Sequence, residues 1–106
     1  MQRVVIYQKR RTDLPQPLFF NWWLGQHRAL AEQLPGLRQH IISLAAADEQ
    51  ESPFDGMAEL WFDDLSAAEA AFASPSGQAA RADADAHVAR RERLNLTEHT
   101  TDFSDT

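Results

Sequence analysis

The chain of 106 residues has no cysteine. Disulfides, thiolate nucleophiles and cysteine-ligated zinc or iron–sulfur centres are therefore excluded, and a reducing compartment is the expectation. Positive charge is also in short supply: ten Lys and Arg stand against 16 Asp and Glu, a net charge of −6. Non-specific binding to nucleic acid or to an anionic membrane needs a basic footprint, so neither partner is expected. No apolar run approaches the ~18 residues that span a membrane. Met1 leads directly into the first strand with no apolar stretch of signal-peptide length, so a cytoplasmic location is the expectation. A Gly-rich phosphate loop and a GxSxG elbow are both missing. What is present, 43% hydrophobic residues with three tryptophans, is too apolar for a disordered tail and suits one small domain over 1–106.

The residue pattern predicts two halves of similar layout. Residues 3–9 are rich in β-branched and aromatic side chains and read as a strand. After a turn-like stretch at 12–17, Pro17 suits the first turn of a helix that runs to about Leu34 and stops at Pro35-Gly36. Residues 37–45 read as a second strand, and the acidic, proline-containing stretch 46–55 as a hairpin loop. In the second half, 56–63 is a strand, and Ser66-x-x-Glu69 has the spacing of a capping box. Alanine dominates from 67 to 89 and favours helix. Ser74-Pro75-Ser76-Gly77 should break and restart that helix, with Ser74 as cap. A last strand is expected at about 93–100, followed by a polar tail at 101–106. The order β-α-β-β-α-β is that of an α+β, ferredoxin-like fold with a four-stranded antiparallel sheet, spatial order 4-1-3-2, and both helices on one face.

That arrangement leaves the other sheet face uncovered, yet the strands do not alternate as half-solvated strands should. Val4 to Tyr7 are all apolar or aromatic. In the third strand Met57 and Trp61 lie on one face and Ala58, Leu60 and Phe62 on the other. An uncovered face with a tryptophan is a patch that soluble monomers avoid, so a homodimer packed sheet to sheet is expected. Glu59, on the Met57 and Trp61 face, is read either as a buried acid at that interface or as partner to an arginine across it.

At ~100° per residue, Phe19, Trp23, His27, Leu30 and Leu34 form one stripe of the first helix, with Trp22 and Arg28 away from its centre. The stripe faces the sheet, which sets His27 among apolar neighbours. Two readings follow: a core histidine bonded to a backbone carbonyl, or an imidazole held neutral for proton transfer. His40 shares a strand face with Ile42 and Leu44. If that face meets the helix stripe, two imidazoles line one apolar compartment and can move protons on a small substrate. The alternative is that His40 only hydrogen-bonds across the gap between sheet and helix.

Phe19-x3-Trp23-x3-His27-x2-Leu30 followed by Leu34-Pro35-Gly36-Leu37 resembles the signature of the EthD-like family. Residues 55–65, Asp-Gly-Met-Ala-Glu-Leu-Trp-Phe-Asp-Asp-Leu, resemble its second block, and Ala73-Ser74-Pro75-Ser76-Gly77 its third. The family takes its name from a protein required for ethyl tert-butyl ether breakdown. Membership implies a dimeric α/β barrel, two ferredoxin-like sheets face to face. Relatives include lactone isomerases, polyketide cyclases and fungal dehydratases, which move protons on small, mostly hydrophobic molecules without a cofactor. Other members have no assigned reaction. The family's helix histidine maps onto His27. Many members carry tyrosine where this chain has His40. Methylmuconolactone-type isomerases use a further histidine near the hairpin and a cysteine in the third strand. Here 46–55 has no histidine and Leu60 stands at the cysteine position, which argues against that reaction.

The resemblance implies a cofactor-independent isomerase, cyclase or dehydratase, with His27 as general base or acid and His40 as its partner. Phe19, Trp23, Leu60 and Trp61 are the expected walls for a small hydrophobic ligand, Trp61 being the one that can instead face a partner subunit. The alternative is a non-catalytic accessory or ligand-binding dimer beside a catabolic oxidoreductase. Other dimeric α/β barrels bind haem through a histidine, and nothing in the residues separates such a histidine from a core one; no cofactor is implied. Asp83-x-Asp85-x-His87 lacks the glycine and glutamate of a calcium loop, and no histidine pair has zinc spacing, so no metal is expected. Lys9, Arg10, Arg11, Arg90, Arg91 and Arg93 should share one rim with Asp48, Glu49, Glu51 and Asp55. They can hold an anionic substrate tail there or pair with the acids in solvent, the reading favoured.

Overall fold

A computed structural model describes residues 1–48 and 51–104. Strand β1 (Gln2–Arg10) lies inside the sheet, as its run of β-branched residues requires. It pairs antiparallel with β3 (Gly56–Phe62) on one side and β4 (Val88–Leu96) on the other. β2 (Gln39–Leu44) closes the far edge against β3, giving the order β2-β3-β1-β4. This is the expected 4-1-3-2 arrangement and the ferredoxin-like fold. Among the described residues no helix is long and apolar enough to cross a membrane.

The helices cover one face. The first begins at α1 (Gln16–Trp22) with Pro17 in its opening turn, and passes through a five-residue π segment, Trp23–His27, into α2 (Arg28–Ala31). It ends ahead of Pro35-Gly36, where Gly36 takes φ +77°, a conformation that costs glycine little. α3 (Leu65–Ala73) and α4 (Pro75–Asp85) meet at Ser74, whose Oγ accepts the Gly77 amide at 3.2 Å as the predicted cap of α4. Gly77 is required there, because a Cβ would lie 2.4 Å from the Phe72 carbonyl oxygen. Val4, Ile6, Leu60 and Phe62 pack beneath Phe19, Trp22, Trp23 and Ala71 to make the core.

Three expectations need correction. α3 is capped by Asp64, whose Oδ1 accepts the Ala67 amide at 2.8 Å, and Ser66 lies inside the helix. β4 occupies Val88–Leu96, several residues earlier than 93–100. The alanine-rich stretch stops being helical at Asp85, and Arg90, Arg91, Glu92 and Arg93 become strand because β1 offers an unpaired edge. Pairing with β1 outweighs the weak local preference of that charged run. Glu59 pairs within its own chain, its Oε2 accepting Arg3 Nη1 at 3.1 Å. That pair lies on the open face, where Ile41 and Leu94 are 39% and 50% exposed.

Candidate functional site

The π segment shapes the site. A π turn inserts one residue into the 3.6-residue repeat, so side chains before and after it no longer follow a single stripe. Phe19, Trp23, His27 and Leu34 are buried as the periodicity predicts and Leu30 is half-buried. Trp22, expected off the centre of the stripe, is also buried. Its indole stacks on the His27 ring at 4.6 Å and on the His87 ring at 4.4 Å.

Asp83, on α4, joins these groups. Its Oδ2 accepts both His27 Nδ1 and Trp22 Nε1 at 3.1 Å, and its Oδ1 accepts Gln26 Nε2 at 2.5 Å. His87 Nδ1 donates to the Asp83 carbonyl oxygen at 2.8 Å. A carboxylate only accepts, so the His27 proton sits on Nδ1. Nε2 is then the basic nitrogen, and among the described residues it has no hydrogen-bond partner. Burial pushes the His27 pKa down from 6.5; the hydrogen bond and charge of Asp83 oppose this, while Arg91 and His40 add to it. The ring is therefore neutral near pH 7. Burial likewise lowers the His40 pKa, with Glu32 opposing and Arg28 assisting.

His27 and His40 line one cleft between the first helix and the sheet, together with Trp23, Leu60, Gln8 and Arg91. Phe72 and Ala80 close it from the side of the second helix pair. The cleft encloses about 420 Å³ including its mouth, but only about 30 Å³ is wide enough for water. Of the expected wall residues, Trp23 and Leu60 are there. Phe19 is wholly buried in the core, packed edge-on against Trp23 at 5.6 Å. Trp61 alternates with Leu60 and points to the open face, so it is remote from His27; Arg3 is its β1 register partner. Asp83, Trp22 and Gln8 were not anticipated as site residues, and Arg91 only as one cation of a solvated rim. Asp83 drew notice only as part of an unsuitable metal spacing, and among the described residues no group of three or more His, Asp or Glu side chains is arranged for a metal.

The six cations do not act as one rim. Arg10 is buried, with Nη1 2.6 Å from Asp55 Oδ1 and Nη2 2.7 Å from Asp48 Oδ1. Asp55, 1% exposed, also accepts the Arg10 amide at 2.8 Å and lies 3.9 Å from Lys9 Nζ. The favoured pairing with the hairpin acids thus occurs at Arg10, but out of solvent, because Asp55 is tied down by its own backbone, its N–H donating to the Gln8 carbonyl of β1 and its C=O accepting the Ala45 amide. Glu49 lies outside the described residues. Arg11 pairs with Asp13 and Arg90 with Glu92. Strand alternation turns Arg91 and Arg93 toward the helices, where the Arg93 guanidinium rests 4.4 Å over the Phe72 ring.

The EthD domain model matches residues 11–91. Among solved structures, an EthD family protein from Bacillus halodurans C-125 is 20% identical, with a TM-score of 0.71 over 92% of this chain and 100% of that one. A dimeric ferredoxin-like protein of unknown function from Thermobifida fusca is 13% identical, with a TM-score of 0.73 over 92% and 90%. SnoaB from Streptomyces nogalater, a cofactor-independent oxygenase, is 19% identical, with a TM-score of 0.65 over 94% and 93%. No curated protein gives a significant match. With the domain model spanning most of the sequence and the predicted fold in place, the chain belongs to the EthD domain family.

Proposed function

We propose that the protein is a homodimeric, single-domain member of this family that moves a proton on a small hydrophobic substrate without a cofactor, in the reducing cytoplasm. The observation that carries this reading is His27: its Nδ1–H is held by Asp83 while its unpartnered Nε2 belongs to a ring lining an apolar cleft. In an isomerisation, Nε2 takes a proton from an acidic C–H and the C–H electron pair moves into an adjacent carbonyl as an enolate. The imidazolium, stabilised by Asp83, then returns the proton to another carbon of the same molecule. His40 anchors the enolate oxygen or relays the proton, and Trp23 and Leu60 hold the apolar part. Cyclisation and dehydration use the same proton step. SnoaB, of the same fold, also works without a cofactor. The dimeric Thermobifida relative and the exposed Ile41 and Leu94 support pairing through the open face.

Incubation of 2-tetralone in D₂O tests the proton step. The protein should accelerate α-proton exchange, seen by NMR, above buffer alone, and His27→Gln should abolish the acceleration. Exchange should rise with pH through the lowered His27 pKa and then level off.

The narrow cleft favours a second reading. Ligand pockets usually measure about 300–1,000 Å³, against about 30 Å³ here. In that reading the dimer is a non-catalytic accessory or ligand carrier supporting a catabolic oxidoreductase, such as an ether-degrading monooxygenase system, and His27 and Asp83 brace the fold. His27→Ala would then lower the melting temperature, with no exchange activity to lose.

A further inference from the structure

The cleft contains two polar groups that the protein itself leaves unanswered. Gln8 is 1% exposed and its Oε1 has no hydrogen-bond partner among the described residues. Arg91, its register partner on β4, has a buried Nε that is equally without one. An edge-strand arginine ordinarily extends its head into water. Here the Arg91 side chain is turned inward to line the cleft, and it makes no ion pair with a described carboxylate.

The local charge sharpens this. Arg81, Arg91 and Arg93 line an adjoining hollow of about 250 Å³ in which, among the described residues, Glu69 is the one acid. Arg81 spends part of its charge on Asp85 at 3.8 Å. Arg93 meets the Phe72 ring face and has no carboxylate within pairing distance among the described residues. The repulsion is felt: burial lowers the Arg91 pKa first, then the charges of Arg81 and Arg93, with Asp85 alone opposing. Arg91 is half-buried and only its Nε is shut off from solvent, but leaving that N–H and a buried amide oxygen unpaired is costly, and an anion with a neighbouring hydroxyl relieves both.

We propose that the cleft and the hollow adjoining it together bind a small aromatic or alicyclic hydroxy acid, with its ring in the hollow of about 250 Å³, its carboxylate on Arg91, which lines both, and its hydroxyl reaching into the narrow cleft to donate to Gln8 Oε1. This deepens the proposed function, on which it rests for the location of the substrate, by making the substrate an organic anion rather than a neutral hydrophobic molecule. Guanidinium matches carboxylate geometry with two parallel N–H donors, and such charge-assisted bonds are roughly twice as strong as neutral ones. The charge beside His27 also suits proton removal, since a cation nearby stabilises a developing enolate.

Calorimetric titration of the whole protein with salicylate, and with salicylamide as its uncharged analogue, provides the test. The wild type should bind salicylate at least about tenfold more tightly than salicylamide. Arg91→Met should remove that preference, Arg91→Lys should keep part of it, and Gln8→Leu should weaken both ligands. His27→Gln should leave the preference intact, which separates anion binding from proton transfer. Equal binding of the two ligands by the wild type, no measurable salicylate binding, or a preference that survives Arg91→Met would each overturn the proposal. The comparison of two ligands on the wild type decides the matter even if Arg91→Met fails to fold. Anion preference without 2-tetralone exchange would leave this inference standing and sink the proton-transfer reading alone. Exchange without anion preference would do the reverse.

Discussion

Asp83→Ala should be among the most damaging substitutions in the second half of the chain. The Asp83 side chain is 9% exposed and accepts hydrogen bonds from Trp22, Gln26 and His27. The Gln26 bond is solvent-exposed and contributes little. The other two are part-buried and end on a carboxylate, so each contributes about 1–1.5 kcal/mol. Truncation also strands the Trp22 indole N–H and the His27 Nδ1–H in a nearly dry site, adding roughly another 1 kcal/mol. The sum is about 3–4 kcal/mol, which lowers Tm by roughly 12–32 °C in a domain of this size. Urea unfolding followed by tryptophan fluorescence and by far-UV circular dichroism measures it. A loss under about 0.5 kcal/mol, the range of an ordinary surface substitution, would refute the idea that Asp83 ties α4 to the first helix. Asp83→Asn separates charge from packing. Trp22 Nε1 can only donate to the atom it shares with His27 Nδ1, so the amide oxygen should take that place and keep both bonds and the tautomer; most stability should be kept, while the imidazolium loses its stabilising charge and proton exchange slows.

Other consequences are equally accessible. Burial lowers the pKa of both His27 and His40, so below the unfolded value of 6.5 the unfolded chain binds more protons than the native one. Stability should therefore be complete above about pH 6.5 and fall as pH drops from there through the lowered native values; urea midpoints between pH 8 and 5 show this, and His27→Gln with His40→Gln should flatten the profile. Asp55→Ala leaves the buried Arg10 without its closest partner and should cost about 3–5 kcal/mol, measured by chemical denaturation. Sedimentation at micromolar concentration should give twice the 12.0 kDa chain mass, and Leu94→Arg on the open face should give the monomer; a monomeric wild type removes the sheet-to-sheet dimer.

Much of the fold was legible because strong local signals agreed with one another. The β-branched run Val4-Val5-Ile6, the Pro35-Gly36 stop and the Ser74-Pro75 restart each fixed a boundary or an element. Strand alternation likewise put Leu60 and Trp61 on opposite faces and His40 with Ile42 and Leu44, but alternation alone does not say which face meets the helices, and the sheet packing brings His40 to His27. The misses share a cause, which is that tertiary pairing decided them. β4 begins at Val88 because the edge of β1 recruits a charged run with little strand preference. The π segment at Trp23–His27 leaves no mark on 3.6-residue periodicity, so the burial of Trp22 was hidden. Asp83 lies 56 residues from His27 in the chain, and no spacing rule joins them. One signal was available: Asp83 and His87 stand four apart on the only helix candidate able to face the first. Arg10 looked like a rim cation and is buried because Asp55 waits for it inside the hairpin.

The protonation of His27 bears most directly on the whole account. Long-range ¹H–¹⁵N correlation of the imidazole at pH 7 should show a neutral ring with the proton on Nδ1 and a pyridine-like Nε2, converting to imidazolium only below pH 6.5. A proton on Nε2, or a ring already charged at pH 7, would contradict it, because no base would then face the cleft.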